Sequence, residues 1–368
     1  MKKKILFVID IPDWAYHNIA KELSKHLQSD YEIYYVSSND YLLRKNRLNK
    51  FWSKIFNFYS FVRFGFYKAL SINKKIYFAK KNIQIPKFTK TKVFKINTNK
   101  EYEINSFDYL VEMAYYFQYT CEFPFKFRKK IVGLYTDSFP HEGNSIDLKK
   151  EKDVKELNRD EFYNHYIRHY DGLIVGSQNL FNYYEKYNHP IELVNSIYRA
   201  DEFQENKQVG ENEYLTIGWT GNPNRMMKGF REIIEPAINN LIGKGLKIKL
   251  KTRFTGDYEG LLSFYTDVDL ICIASKADTG PSLFAEASLS KVPALTTEIG
   301  FPKMIIKNGK NGFFVERDIH EFETKITELY YNRELLKQMS NQIKKDYLDK
   351  LNNEELAINL KNILVKLD

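Results

Sequence analysis

The sequence has only two cysteines, Cys121 and Cys272. No disulfide scaffold is built from so few, and the usage fits a reducing compartment. Nor is there an uncharged run near the roughly 18 residues that a membrane span requires. The opening MKKKILFVID is basic and then apolar, but Asp10 ends the apolar part early. It reads as a first strand, not as the core of a secretion signal. Neither Gly-x-Gly-x-x-Gly nor the phosphate loop of nucleotide hydrolases occurs, which counts against dinucleotide redox chemistry and nucleotide hydrolysis. A local absence of acid is just as telling: residues 41–100 hold 16 Lys and Arg and no Asp or Glu. The net charge of +9 is therefore concentrated there, and the remainder is net acidic. Such asymmetry is a statement about partners and not about fold.

What is present is a folded α/β chain. At 368 residues it exceeds one ordinary core and predicts two domains of about 150 to 200 residues each. KILFVID and YEIYYVSS read as strands flanking the amphipathic helix HNIAKELSKHL. FDYLVEMA, KIVGLYTD, DGLIVGS and IELVNS follow as nearly continuous apolar runs, the pattern of strands covered on both faces in a parallel sheet. Residues 201–213, DEFQENKQVGENE, are polar and without apolar periodicity, and are assigned as the linker after a first domain of residues 1–200. The alternation then restarts over 214–350: strand YLTIGWTG, helix KGFREIIEPAINNLI with a kink expected at Pro236, strands LKIKLKTRF, VDLICIAS and VPALTT, then NGFFVE and helices. A last helix over 351–368 is a candidate to pack back on the first domain. Two Rossmann-like domains facing a cleft are expected, with ligands at the carboxyl ends of their strands.

Two segments at such ends carry candidate chemistry. In GWTGNPNRMMKGF, Gly221 lets a ligand approach the backbone, and Arg225 and Lys228 offer cations to an anion; alone, this is as readily a loop with two solvated basic residues. SKADTGPSLFAEASLSKVP is stronger. Gly280 and Pro281 start a helix, proline being tolerated where its missing N–H is not needed, and the amides of Ser282 and Leu283 point outward as an anion site. Asp278 lies before the turn and Glu286 over one turn into the helix. A capped helix with a surface acid explains Asp278 and Gly280. It gives no reason for Glu286 among small apolar residues, where a buried acid needs a partner.

With its two acids separated by seven residues, this segment resembles the acid-x7-acid motif of retaining GT-B glycosyltransferases of the GT4 type, glycosyl transferases group 1. VGSQNLFNYYEKY through IELVNSIYRADEF is similar to the family's stretch closing the first domain. GWTGNPNRMMKGF is similar to its glycine strand end and Lys-Gly, and VPALTTEIGFPKMIIKNGKNGFFV to the segment after the motif. The likeness spans about residues 170–330 and is general over 1–170. It implies an enzyme that moves a sugar from a nucleotide-diphosphate sugar to a glycan or lipid-linked acceptor in surface polysaccharide or glycoconjugate synthesis. Glu286 would bind ribose hydroxyls, and Asp278, in place of the family's first glutamate, would hold the donor sugar. Gly221, Asn222 and Gly280 to Leu283 would line the donor, and Arg225 and Lys228 would neutralise the departing diphosphate. The leaving phosphate would help deprotonate the acceptor, so no metal or other cofactor is expected. The chain departs from the family in the aspartate at 278, in Asn222 where an arginine is usual, and in DIPDWAYHN where a Gly-Gly loop is usual. These departures leave open a catalytically silent nucleotide-sugar-binding subunit. A sugar-nucleotide epimerase of the same fold would need a paired acid and base that the sequence does not offer.

On the acceptor side the candidates are Trp14 and His17 on the first loop and Asp137 and His141 in YTDSFPHEG, each as readily an ordinary loop residue. Asp267 and Asp269 mimic a metal-binding Asp-x-Asp but directly precede an apolar strand, and read as a strand entry. His165 and His169, at helical spacing, lack the further ligands of a zinc site. NKFWSKIFNFYSFVRFGFYKAL interleaves aromatic and basic residues. It is equally a basic amphipathic helix for an anionic membrane and a piece of domain core with outward lysines. The acid-free charge of residues 41–100 favours a peripheral place on the inner face of the plasma membrane, in the cytoplasm. No nucleic-acid-binding motif accompanies it.

Overall fold

The computed structural model describes residues 2–12, 15–41, 92–115, 123–135, 159–195, 200–255 and 259–368. The sequence alternation becomes two sheets. The first has the order β4-β3-β2-β1-β5-β6-β7-β8. Its strands are β1 (Lys3–Ile9), β2 (Tyr31–Ser37), β3 (Lys92–Lys95), β4 (Glu101–Glu103), β5 (Ser106–Glu112), β6 (Lys126–Leu134), β7 (Gly172–Val175) and β8 (Ile191–Leu193). From β2 through β8 the pairings are parallel. Ile5 to Ile9 are wholly buried, which is why β1 reads as an unbroken apolar run: both of its faces are covered. Helix α1 (Ala15–Leu27) supplies one cover, turning Ile19, Ala20, Leu23 and Leu27 inward.

The parallel expectation fails at one edge. β3 pairs antiparallel with β2, and β4 with β3. These strands are four and three residues long, too short for their alternation to show in sequence. β4 is exposed along its length, and such a short, charged outer strand is a common way to blunt a sheet edge.

The second sheet, order β10-β9-β11-β12-β13, is parallel throughout. It consists of β9 (Leu215–Thr220), β10 (Ile248–Arg253), β11 (Leu270–Ile273), β12 (Ala294–Thr296) and β13 (Gly312–Phe314). The helix expected over KGFREIIEPAINNLI is divided. A π turn at Phe230–Ile234 leads into α-helix from Glu235 to Gly243, with Pro236 in its first turn. A proline there gives up no hydrogen bond that the helix needs, so the irregular turn precedes it in place of a sharp kink. Helix Ser282–Leu289 follows β11, and Ile319–Tyr331 and Arg333–Lys350 complete the second core.

Asp269 ties the connecting segment to this core. Its carboxylate accepts from the amides of Gly210 and Thr216, both at 2.8 Å, while Asp267 pairs with Lys251. The Asp-x-Asp lookalike is thus a strand entry with two separate partners. Helix Asn353–Lys366 returns to the first domain: Leu356, Ala357, Leu360, Ile363 and Leu364 join its core. Asn359 Nδ2 donates to the Leu193 carbonyl at 2.9 Å, and Lys366 pairs with Glu192.

In each sheet the strand order reverses once, between β1 and β5 in the first and between β9 and β11 in the second. Loops diverge at such points and leave a crevice at the carboxyl ends. Both motif segments belong to the second crevice.

Candidate functional site

The first wall of the crevice is the exit from β9. Gly221 has φ +132°, and a Cβ there would meet the Trp219 ring at 3.2 Å, so the turn is open to glycine alone. The Asn222 side chain accepts from the Asn224 amide at 3.0 Å, which tightens the loop ahead of half-buried Arg225. Met226–Lys228 forms one 3-10 turn, closed by Gly229 at φ +69°. A Cβ on Gly229 would lie 2.5 Å from the Ala274 carbonyl. That close approach brings the β9 exit against the β11 exit.

The second wall is the loop from β11 into helix Ser282–Leu289. Lys228 and Asp278 form an ion pair across the crevice, with 23% and 13% of their side chains exposed. The Gly280 amide also donates to Asp278 Oδ1, at 3.3 Å. Pro281 takes the N-cap position and offers no side-chain acceptor. The amides of Ser282 and Leu283 therefore open the helix without a side-chain cap, at the end where the helix dipole is positive. Gly300 backs this loop: a Cβ there would come within 2.2 Å of the Thr279 carbonyl and 2.3 Å of that of Asp278.

Glu286 faces inward from the helix and is 6% exposed. Its partners are two residues that the sequence did not single out. The Tyr265 hydroxyl donates to Glu286 Oε2 at 2.7 Å. The Thr220 hydroxyl lies 3.4 Å from the same oxygen and 3.2 Å from the tyrosine oxygen. Burial pushes the Glu286 carboxyl up to about 7, and the two hydroxyl bonds pull the other way. The signal for Tyr265 was a tyrosine in the apolar approach to β11, and for Thr220 a hydroxyl at the end of β9. Neither has a spacing that distinguishes it from core.

Arg317, also missed, braces both walls. Its Nε donates to the Ala274 carbonyl at 2.8 Å and its Nη2 to that of Met226 at 3.1 Å. The first domain reaches the motif through the Thr279 hydroxyl, which donates to the Tyr135 carbonyl at 2.7 Å. Asp278, Gly280, Pro281, Ser282, Leu283, Glu286, Lys228, Arg225, Gly221 and Asn222 thus lie on the two walls of one crevice. His17 is placed differently from the expected loop. It lies in the first turn of α1, wholly buried, with its ring centroid 4.3 Å from that of Tyr35. Because the helix begins at Ala15, this position faces the sheet, leaving an acceptor no surface of it to touch. Trp14, Asp137 and His141 lie outside the described residues, as does most of the acid-free stretch 41–100.

Residues 238–346 match the family model described as glycosyl transferases group 1. The match lies within the second domain. The chain is accordingly a glycosyltransferase. The matched span of this glycosyltransferase holds Asp278 through Glu286 but begins after Lys228. Similar solved structures give it the GT-B fold. S. aureus TarM, a mutant in complex with fondaparinux, alpha-GlcNAc-glycerol and UDP, has TM-score 0.61 at 12% identity, covering 98% of this chain and 99% of its own. Sucrose-phosphate synthase from Thermosynechococcus elongatus has 0.60 at 10%, covering 100% and 99%. Anabaena HepE in complex with UDP and glucose has 0.58 at 9%, covering 99% of each. No curated protein matches this glycosyltransferase.

Proposed function

We propose that this glycosyltransferase moves a sugar from a nucleotide-diphosphate sugar to a glycan or lipid-linked acceptor, with retention at the anomeric carbon, in surface polysaccharide or glycoconjugate synthesis. One observation carries the reading: a lysine, an uncapped helix start and a buried glutamate share one crevice at the strand-order reversal. Breaking the sugar–phosphate bond leaves an oxocarbenium-like sugar and a diphosphate anion. Lys228, Arg225 and the amides of Ser282 and Leu283 stabilise that anion as its charge develops. Asp278 holds the donor sugar, and Glu286 accepts from the ribose hydroxyls. A phosphate oxygen of the leaving group takes the acceptor's proton as the acceptor oxygen bonds to the anomeric carbon. The named complexes of TarM and HepE contain UDP, which makes uracil the first base to try. No metal ion takes part in this scheme.

Nucleotide release from a panel of UDP-, GDP- and CMP-sugars is the test. Release that disappears in both Glu286→Ala and Lys228→Ala is expected, and full activity in both rejects the site. The shorter acid at 278 favours one alternative, a silent binding subunit. Calorimetry showing nucleotide binding without turnover, with turnover restored by a partner, would select it. The basic stretch 41–100 is proposed to rest on an anionic membrane surface at the cytoplasmic face. Among the described residues no helix is long and apolar enough to cross a membrane. Co-sedimentation with liposomes that ignores anionic lipid content would remove that placement.

A further inference from the structure

We infer that Tyr265 is the positioning residue of the nucleotide site: its hydroxyl fixes the rotation of the Glu286 carboxylate and thereby sets the affinity for the nucleoside diphosphate. The inference rests on the donor-site reading above and adds a residue that the acid-x7-acid spacing does not contain.

Tyr265 is wholly buried, in the single 3-10 turn Phe264–Asp267 that feeds β11. A buried phenol needs a partner, and this one donates to Glu286 Oε2 at 2.7 Å. Thr220, at the end of β9, closes the set at 3.2 Å from the phenol oxygen and 3.4 Å from the carboxylate. Both bonds fall on Oε2, which leaves Oε1 as the oxygen to accept from a ligand hydroxyl. Without the phenol, the carboxylate can turn about its last torsion, because such sp³–sp² torsions are broad. Among the described residues, the side chains bonded to the Glu286 carboxylate are those of Tyr265 and Thr220. Burial is the largest influence on its proton, and each hydroxyl favours the charged form. Removing the phenol therefore has two consequences: Oε1 is no longer aimed, and the carboxyl holds its proton to higher pH.

The experiment titrates UDP, GDP and ADP calorimetrically into wild type, Tyr265→Phe, Thr220→Val and Glu286→Gln at several pH values. Circular dichroism melts check that each variant is folded. Tyr265→Phe keeps the ring and loses only the hydroxyl. For the nucleotide that wild type binds, its affinity is expected to fall about tenfold near neutral pH, the size of one lost hydrogen bond to a charged group. The deficit should narrow as the pH is raised toward 9, where Glu286 is ionised again. A purely structural role for the ring would leave that pH dependence unmoved. Thr220→Val should lose less, since its bond is longer. If Glu286→Gln weakens binding and a folded Tyr265→Phe matches wild type at every pH, the positioning role is overturned and the donor-site reading stands. If Glu286→Gln binds as wild type does, or wild type binds none of the three nucleotides, the donor-site reading fails and the role of Tyr265 falls with it.

Discussion

The Thr279 hydroxyl donates to the Tyr135 carbonyl at 2.7 Å, joining the residue between Asp278 and Gly280 to the carboxyl end of β6 in the other domain. The Tyr135 ring sits where a Cβ on Gly176 would meet it at 2.7 Å and one on Gly133 at 2.8 Å. Gly133 in β6 and Gly176 just past β7 thus make room for the ring, and the backbone it anchors meets the loop that carries Asp278. Replacing Thr279 by valine keeps the shape and removes the bond. A loss of about 1 kcal/mol in urea unfolding is expected, together with a severalfold fall in transfer rate at unchanged nucleotide affinity. The bond registers one domain on the other without belonging to the proposed anion site, so equal losses in rate and affinity would contradict this division of labour.

Lys228 is the cation nearest the motif acid, and its partner Asp278 is mostly shielded from water. Removing one member of such a pair leaves the other uncompensated. Lys228→Ala should therefore reduce turnover by at least about a hundredfold, the scale of one lost transition-state charge contact. Arg225→Ala should cost less, because Arg225 Nη2 contacts Met227 Sδ at 3.3 Å within its own loop. Nucleotide-release rates for both variants at saturating donor test the ranking.

The sequence carried the strands of the second sheet and helix Ser282–Leu289, because apolar runs and the Gly-Pro-Ser turn are local signals. Glu286 also stood out, as an acid that the surrounding small apolar residues could not explain. What completes its site is non-local. Tyr265 and Thr220 meet Glu286 from segments 21 and 66 residues away, and Arg317 spans 43 residues to reach Ala274. None of these is a residue type out of place where it stands in the chain. The antiparallel β3 and β4 escaped for a different reason, being too short to show a period. His17 was misplaced by its facing and not by its element: the helix read from HNIAKELSKHL already begins at this residue, and α1 turns its ring toward Tyr35.

Burial raises the Glu286 carboxyl to about 7 from an ordinary 4.5, and folding stability must follow. The folded state holds this proton to higher pH than the unfolded chain. The contribution is therefore most favourable below about pH 4.5 and is lost as the pH rises through 7, in total about 3 kcal/mol. Glutamine at 286 has no proton to lose. The melting temperature of Glu286→Gln relative to wild type should accordingly climb between pH 5 and pH 8. A flat difference across that range would mean that Glu286 titrates as an exposed carboxylate does.

Gly300 touches no ligand in the proposed scheme, yet it bears on the donor loop. Its φ is +39°, and a Cβ would fall 2.2 Å from the Thr279 carbonyl. Backbone, unlike the end of a flexible side chain, cannot step aside cheaply. Gly300→Ala should displace the loop that carries Asp278 and Gly280, lowering turnover more than tenfold while costing about 1–3 kcal/mol of stability through strain. Phe301 supplies the comparison. Its ring lies where a Cβ on Gly280 would approach to 1.9 Å, and its amide donates to the Thr279 carbonyl at 2.9 Å. Phe301→Leu shortens the side chain but keeps that amide bond, so it should lose stability through packing and retain more activity than Gly300→Ala. Paired melts and nucleotide-release rates separate the two, since the reverse order would place the ring, and not the glycine, in control of the loop.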